Sequence, residues 1–117
     1  MLEMTLEELE NSFSDILFCD SYNPIVITYA SNLASNYSIE DMIERCKEEK
    51  EIILLKIFDE MIVDEIEQEI FFNTFNSAKK KDAKIIILVE KSLIPKMQGR
   101  NIARIRNGIT IELGEGK

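Results

Sequence analysis

The stretch from residue 51 to residue 90 limits the fold more than any other part of this sequence, because two apolar runs flank a helical pattern. The first run covers residues 52–58 and is broken only by Lys56, and the second covers residues 84–89. Nearly continuous apolar runs of this length are typical of strands that are covered on both faces, as in parallel sheets. The stretch therefore predicts a β-α-β unit.

A helix is predicted between these two strands. Asp64 is expected to cap its first turn, and the lysines at 79–81 fall in its last turn, where positive charge suits the helix dipole. Phe72 lies off the apolar stripe of this helix, so it is a candidate contact residue for a partner protein. The stripe itself recurs at three- and four-residue spacing and is predicted to pack on the sheet through Ile66, Ile70, Phe71, Thr74, Phe75 and Ala78.

The remaining segments continue this alternation. Thr5 and Glu8 form a capping box for an amphipathic helix over residues 5–18. Strands that alternate with helices predict an α/β fold with three layers, in which a mainly parallel four-stranded sheet has helices on both faces. Three further segments are predicted from their patterns: a β-branched strand over residues 25–30, a polar loop over residues 31–37 and a half-exposed edge strand over residues 109–113.

The length and the charge of the chain describe one domain with two unlike halves. A chain of 117 residues can build one core but not two, so residues 1–117 are predicted to form a single α/β domain. The net charge of −8 divides into −14 over residues 1–70 and +6 over residues 71–117. These halves are either solvated helix faces, or an acidic and a basic face that bind a protein partner or each other in a homo-oligomer. The parts of the domain are the N-terminal helix 5–18, the β-α-β core 51–90 and the basic C-terminal segment 91–117.

Several kinds of function and location are disfavoured by what the sequence lacks. It has no histidine, and Cys19 and Cys46 match no metal or redox spacing, so we predict no cofactor, no metal and no catalytic residue. The net negative charge argues against nucleic-acid binding. No apolar run approaches the roughly 20 residues that cross a bilayer, and the N-terminus is acidic. We therefore expect a cytoplasmic protein that does not bind membranes.

Polar residues at the carboxyl edge of the predicted sheet form one candidate ligand site. Ligands of open parallel sheets bind at this edge. Carboxylates there could hold magnesium or act as an acid/base pair. The residues that follow the predicted strands at this edge are Ser31, Asn32, Asp59, Glu60 and Glu90.

Three arginines near the C-terminus form a second candidate site. Arg100, Arg104 and Arg106 could bind phosphate or an acidic partner, or they could form a solvated helix face. The chain has no glycine before Gly99, so it lacks a glycine-rich loop that closes backbone N–H groups around phosphate. Nucleotide binding of the usual kind is therefore disfavoured.

Three short pieces of the chain carry a resemblance to a known family. They are Y-N-P-I-V-I at residues 22–27, Q-E-I-F-F-N-T-F-N at residues 68–76 and R-I-R-N-G-I-T-I at residues 104–111. In order and spacing they resemble parts of the AAA+ ATPase core of the replication initiator DnaA and its shortened relative Hda. The resemblance implies a Rossmann-like, P-loop-like fold. It also implies that the strands at residues 109–113, 25–30, 84–89 and 52–58 lie side by side in that order.

The chain departs from this family at both catalytic positions. Where the family has its phosphate loop, residues 29–36 read Y-A-S-N-L-A-S-N, and the magnesium-binding acidic pair falls on Lys56 and Ile57. The resemblance therefore implies a degenerate ATPase without a P-loop. In such a copy, Arg104 or Arg106 is the functional position that carries over.

These observations favour a non-enzymatic protein-interaction or regulatory module, acting on a replication initiator or another ATPase. The first alternative is a small-ligand-binding protein or a metal-dependent enzyme that uses the carboxyl edge of the sheet. The second is an accessory subunit of a larger complex, with Phe72 at the contact. A concave pocket at the carboxyl edge would favour the first alternative, and a fully buried Phe72 would remove the specific residue of the second.

Overall fold

Strands and helices alternate along the chain, as the sequence predicts. The computed structural model describes residues 2–30, 36–57, 59–97, 99, 103 and 105–114. Gly99, Ala103 and Ile105 are helical. The other elements, in chain order, are β1 (Leu2–Met4), α1 (Leu6–Leu17), β2 (Ile25–Tyr29), α2 (Asn36–Cys46), β3 (Ile52–Ile57), α3 (Asp59–Val63), α4 (Glu65–Lys80), β4 (Lys84–Glu90), a 3₁₀ helix (Lys91–Lys96) and β5 (Ile109–Leu113).

The sheet has five strands in the order β1-β5-β2-β4-β3, and every pair is parallel. The order of β5, β2, β4 and β3 is the one that the DnaA resemblance implies, so that prediction is confirmed. The prediction of four strands is wrong by one, because β1 pairs with β5 from Leu2 opposite Ile111 to Met4 opposite Leu113. For the same reason β5 is not an edge strand.

Helices cover both faces of the sheet, which confirms the predicted three-layer arrangement. On one face α1 and α2 pack on β2, β3, β4 and β5, with Phe13 and Ile43 among the fully buried side chains. On the other face α4 and the 3₁₀ helix pack on alternate side chains of β2, β3 and β4, together with Ile105. The two apolar cores meet at the sheet. Among the described residues, no helix combines the length and the apolar content needed to cross a bilayer.

The N-terminal helix forms as its sequence predicts. Thr5 Oγ1 accepts the backbone N–H of Glu8, and Glu8 Oε1 accepts the backbone N–H of Thr5, so both halves of the capping box are present. Substituting such a cap costs about 1 kcal/mol in other proteins. The apolar stripe of α1 is buried through Leu9, Phe13, Ile16 and Leu17.

The two strands of the central β-α-β unit differ in burial, although their sequences look alike. In β4, residues 84–89 are buried, because β2 and β3 flank the strand and helices cover both faces. In β3, an edge strand, residues 53–55 are half-buried and Lys56 is exposed. The prediction that residues 52–58 are covered on both faces is therefore wrong for the middle of that strand.

Helix α4 buries only part of the predicted stripe: Phe71, Phe75 and Ala78 are buried as predicted, and the other three residues are not. Asp64 caps it as expected, since its Oδ1 accepts the backbone N–H of Ile66 at 2.9 Å. However, the side chains of Ile66 and Ile70 are 69% and 53% exposed. Thr74 is half-buried, so it is also not part of the buried stripe. The buried residues are Gln68, Phe71, Phe75 and Ala78.

The rotation of α4 has a specific cause at its first turns. Gln68 is buried, and its Nε2 donates a hydrogen bond of 2.8 Å to the backbone carbonyl of Ile62 in α3. This bond satisfies a carbonyl at the end of α3, where intrahelical partners run out. It requires Gln68 to face inward, and Ile66, two positions earlier, then faces outward.

The start of β5 passes unusually close to the start of β2. The backbone N–H of Ile109 donates to the carbonyl of Pro24 at 3.0 Å. A Cβ atom on Gly108 would lie 1.8 Å from that same carbonyl oxygen, so this position has no room for a side chain. Gly99, in contrast, has no atom within 4 Å of such a Cβ.

We predict that Gly108→Ala lowers the free energy of unfolding by at least about 2 kcal/mol, because backbone must move to admit the methyl group. The matched change Gly99→Ala, at an exposed helical position, should stay within about 1 kcal/mol of the wild type. Urea denaturation followed by circular dichroism measures both. Equal stabilities for the two variants would contradict the close approach at Pro24.

Candidate functional site

The carboxyl edge of the sheet carries two predicted site residues within the described part of the chain. Asp59 is the exposed first residue of α3, and Glu90 is the half-buried last residue of β4. Ile57 and Val89 are opposite each other in β3 and β4, so both carboxylates follow at the same edge. Both residues therefore lie at the carboxyl edge of the sheet, and their ligand-binding role stays a prediction.

Seven other predicted positions have different outcomes. Phe72 is half-buried and Arg106 is exposed. The remaining predictions lie outside the described residues: Ser31, Asn32, Arg100, Arg104 and the side chain of Glu60.

Two carboxylates at this edge, those of Glu90 and Glu112, make local contacts. Ser92 Oγ donates a hydrogen bond of 2.9 Å to Glu90 Oε1. The Lys91 ammonium pairs with the carboxylate of Glu112 on β5, and this hydrogen bond raises the pKa of Lys91. Within the described ranges, no three Asp, Glu, Cys or His side chains are grouped so that they could hold a metal ion.

Lys56 stands where the DnaA resemblance places the first member of the acidic pair. Its ammonium forms an ion pair with the carboxylate of Glu40 on α2, and its side chain is 41% exposed. Ile57, at the second position, is buried in the core. The side chains of lysine and isoleucine contain no oxygen that could bind magnesium.

A cavity of about 500 Å³ opens at the opposite, amino-terminal edge of the sheet. Residues that precede or begin β2 and β5 form its walls together with the 3₁₀ helix. Its apolar part is formed by Val26, Ile94, Ile105 and Ile109, and its polar part by Ser21, Tyr22, Arg106, Gly108 and Thr110. The lining is thus mixed, and the volume falls within the range of small-molecule binding sites.

Among the described residues that line this cavity, Arg106 is the charged one. It is exposed, and it follows the buried Ile105, which anchors its backbone in the core. An arginine guanidinium presents a planar set of donors that matches a carboxylate or a phosphate. The arrangement can therefore bind an anionic group while the apolar wall covers its neighbouring part.

One wall of the cavity belongs to the turn at residues 19–23, which two side chains fasten to β4. Lys84 is buried, and its Nζ donates to the carbonyls of Cys19 at 2.8 Å and Tyr22 at 2.7 Å. Asn23 Nδ2 donates to the carbonyl of Ala83, and Asn23 Oδ1 accepts the backbone N–H of Ile85, both at 3.0 Å. The Asn23 side chain thus pairs with β4 as a strand backbone would.

A smaller charged cavity of about 270 Å³ surrounds this fastening. Asp20, Asn23, Lys50, Asp82 and Lys84 line it. Burial, with a smaller contribution from Lys50, lowers the pKa of Lys84, while Asp20 and Asp82 act against this. Because the Lys84 donors are used by backbone carbonyls, we assign this lysine a structural role.

The sequence indicates some of these residues and misses others. The arginine cluster points to Arg106, but the amino-terminal edge is not predicted as a site. Tyr22 and Asn23 are noted in the Y-N-P piece, without a role for their side chains. Lys84 gives a weak signal, since a lysine that opens an apolar strand is usually read as a surface residue.

The fold and the site together define a class of protein. This is a Rossmann-like, P-loop-like α/β domain with a five-stranded parallel sheet and a cavity at the amino-terminal edge. Its structure is similar to that of AMPPCP-bound DnaA from Aquifex aeolicus, with a TM-score of 0.69 and 17% sequence identity. The match covers 89% of this chain and 44% of that chain, so this chain spans less than half the length of the DnaA it matches. At this identity the likeness shows a shared fold.

No protein-family model and no curated protein sequence matches this chain. The relationship with DnaA therefore rests on the three-dimensional structure, and it concerns the fold. What DnaA binds is a property of that protein, and AMPPCP belongs to its site.

We predict that Lys84→Met lowers the free energy of unfolding by about 2 kcal/mol at neutral pH, because two carbonyls lose their donor. The wild type should also gain stability relative to this variant at alkaline pH. The folded state releases the Lys84 proton at lower pH than the unfolded state, so stability rises with pH between the two pKa values. Urea titrations between pH 7 and pH 10 measure both effects, with the exposed Lys81→Met as the control. Parallel pH profiles of wild type and Lys84→Met would contradict a lowered pKa.

Proposed function

We propose that this chain is a non-enzymatic module that binds another protein, and that it takes an acidic group of its partner into the cavity beside Arg106. The observation that carries the proposal is the pairing of one exposed guanidinium with an apolar wall at the amino-terminal edge. A carboxylate next to an aliphatic or aromatic group fits both features. The charge of +6 over residues 71–117 favours the approach of an acidic surface.

The absence of catalytic chemistry in the sequence supports a non-enzymatic role. Residues 29–36 contain neither glycine nor lysine, and Lys56 with its partner Glu40 occupies the region that the resemblance assigns to the magnesium-binding pair. The chain thus has the fold of an ATPase core without the groups that hold nucleotide and metal. A replication-initiator ATPase of the DnaA kind is the first partner to test.

A small-ligand-binding protein is the second candidate. The cavity volume of about 500 Å³ lies within the range of roughly 300–1,000 Å³ that small-molecule sites occupy. Arg106 would then select an anionic molecule. A thermal melt with a set of aliphatic and aromatic carboxylates separates this candidate from the first, since a protein-binding site should not be stabilised by the small acids alone.

We predict that ATP, ADP or AMPPCP, each at about 1 mM with magnesium, does not raise the melting temperature of the chain. A ligand at 100 times its dissociation constant adds about 2.7 kcal/mol of stability, which such a melt detects easily. A clear rise with nucleotide would contradict the proposal and indicate a nucleotide-binding domain.

We predict that Arg106→Ala weakens binding to a purified DnaA-type initiator about tenfold or more, corresponding to about 1.4 kcal/mol. Arg45→Ala is the matched control, because Arg45 is an exposed arginine on α2 and does not line the cavity beside Arg106. Biolayer interferometry with the immobilised chain measures both affinities. If both variants bind as the wild type does, the contact does not use the cavity.

A further inference from the structure

Three exposed apolar side chains lie close together in sequence at the junction of α3 and α4. Val63, the last residue of α3, is 82% exposed, and Ile66 and Ile70 on α4 are 69% and 53% exposed. Ile66 and Ile70 are four residues apart, so they lie on one face of the helix, about 6 Å apart along its axis. We call these three side chains the α3–α4 row.

Acidic side chains flank the row on both sides. Successive residues of a helix turn by about 100°, which places Glu67 on one side of Ile66 and Ile70 and places Glu65 and Glu69 on the other. All three carboxylates are exposed, as is the capping residue Asp64. The surface is therefore an apolar strip between two acidic borders.

The row is held in place by the structure beneath it. The hydrogen bond from Gln68 Nε2 to the Ile62 carbonyl ties α3 to α4 directly under the row. On the buried side, Phe71 and Phe75 pack in the core with their rings 6.3 Å apart. The strip is thus presented by a helix whose orientation is fixed, which lowers the ordering cost of binding.

We propose that the α3–α4 row is a docking surface for a basic amphipathic helix of a partner protein. The apolar strip matches the apolar side chains of such a helix at i, i+3 and i+4, and its lysines or arginines pair with the acidic borders. The proposal extends the proposed function, because it too requires that the chain acts through protein contacts. It concerns a different surface and a partner segment of opposite charge from the one at Arg106.

The charges on this surface argue against two other occupants. A second copy that paired Ile66 with Ile70 across a twofold axis would bring Glu67 and Glu69 against their own kind, which is destabilising. A membrane surface with anionic lipids would repel the same borders. A basic helix is not repelled by these carboxylates.

The test uses two labelled 18-residue helical peptides with the same leucine strip, one bordered by lysines and the other by glutamates. We expect fluorescence anisotropy to show binding of the lysine peptide and not of the glutamate peptide, with affinity falling as salt is raised. Amide chemical shifts in the lysine complex should change around residues 63–70. Equal binding of both peptides would overturn the proposal.

Variants locate the contact. The double change Ile66→Ser/Ile70→Ser should weaken binding of the lysine peptide at least tenfold, and folding should survive because both side chains are exposed. Phe18→Ser removes an apolar side chain that is 46% exposed outside α3 and α4, and should leave binding unchanged. Glu67→Lys/Glu69→Lys should reverse the preference toward the glutamate peptide. Unchanged affinity in the isoleucine variant would overturn the proposal.

Two controls separate this proposal from its neighbours. Arg106→Ala should bind the lysine peptide as the wild type does. A loss of initiator binding in that variant would then not be caused by damage to the α3–α4 row. Conversely, failure of the lysine peptide leaves the proposed function in place if Arg106 still matters for the initiator. Sedimentation velocity that shows a dimer dissociated by Ile66→Ser/Ile70→Ser would overturn the proposal, because the occupant would then be a second copy.

Discussion

The fastening of the turn at residues 19–23 to β4 is the interaction on which the rest of the structure depends. Asn23 satisfies the backbone N–H of Ile85 in β4 and the carbonyl of Ala83 just before it, and Lys84 satisfies two carbonyls of the turn. These four bonds fix where β2 enters the centre of the sheet. The next residue, Pro24, then accepts the N–H of Ile109, so β5 takes its position from the same point. Since β1 pairs with β5, the position of β1 in the sheet also depends on this contact.

The sequence predicts the regular parts of this fold well and its edges poorly. Apolar runs and capping residues predict the four long strands and α1, while their order comes from the resemblance and could not come from periodicity. The strand β1 is three residues long, which is too short to show alternation, so it leaves no pattern to read. Burial of β3 is overestimated because an apolar run does not tell whether a second strand lies beside it. Lys56 is the one residue that indicates the exposed position.

Helix α4 shows why a stripe alone does not determine which face is buried. Its apolar residues are spread so widely that two faces fit the spacing, one with Ile66 and Ile70 and one with Phe71 and Phe75. Gln68 determines which of these faces is buried. It is a polar residue, so the periodicity of apolar residues predicts it on the solvent-exposed face. Its Oε1 is buried without a hydrogen-bond partner among the described residues. Leaving it unpaired costs about 1–3 kcal/mol, which the Nε2 bond and the packing of the two rings must offset.

At the site, the arginine cluster in the sequence points to Arg106. Lys84 is missed because its partners are backbone carbonyls 62 and 65 residues away in sequence.

The positions of the cavity beside Arg106 and of the α3–α4 row in the fold bear on function. In a parallel sheet the loops after the strands reach toward a ligand at the carboxyl edge, and an ATPase of this fold needs its phosphate loop and its acids there. Here that edge carries Ser92 bonded to Glu90 and a lysine paired with Glu112, contacts that hold the loops and offer no metal site within the described residues. The cavity beside Arg106 lies at the other edge, and the α3–α4 row lies on a helix. Exposed apolar side chains on a rigid helix favour association in water, and the carboxylates beside them restrict the partners to basic ones. The two candidate binding features therefore lie away from the edge where an ATPase of this fold has its catalytic groups, and this separation supports our proposal that the chain acts through protein contacts.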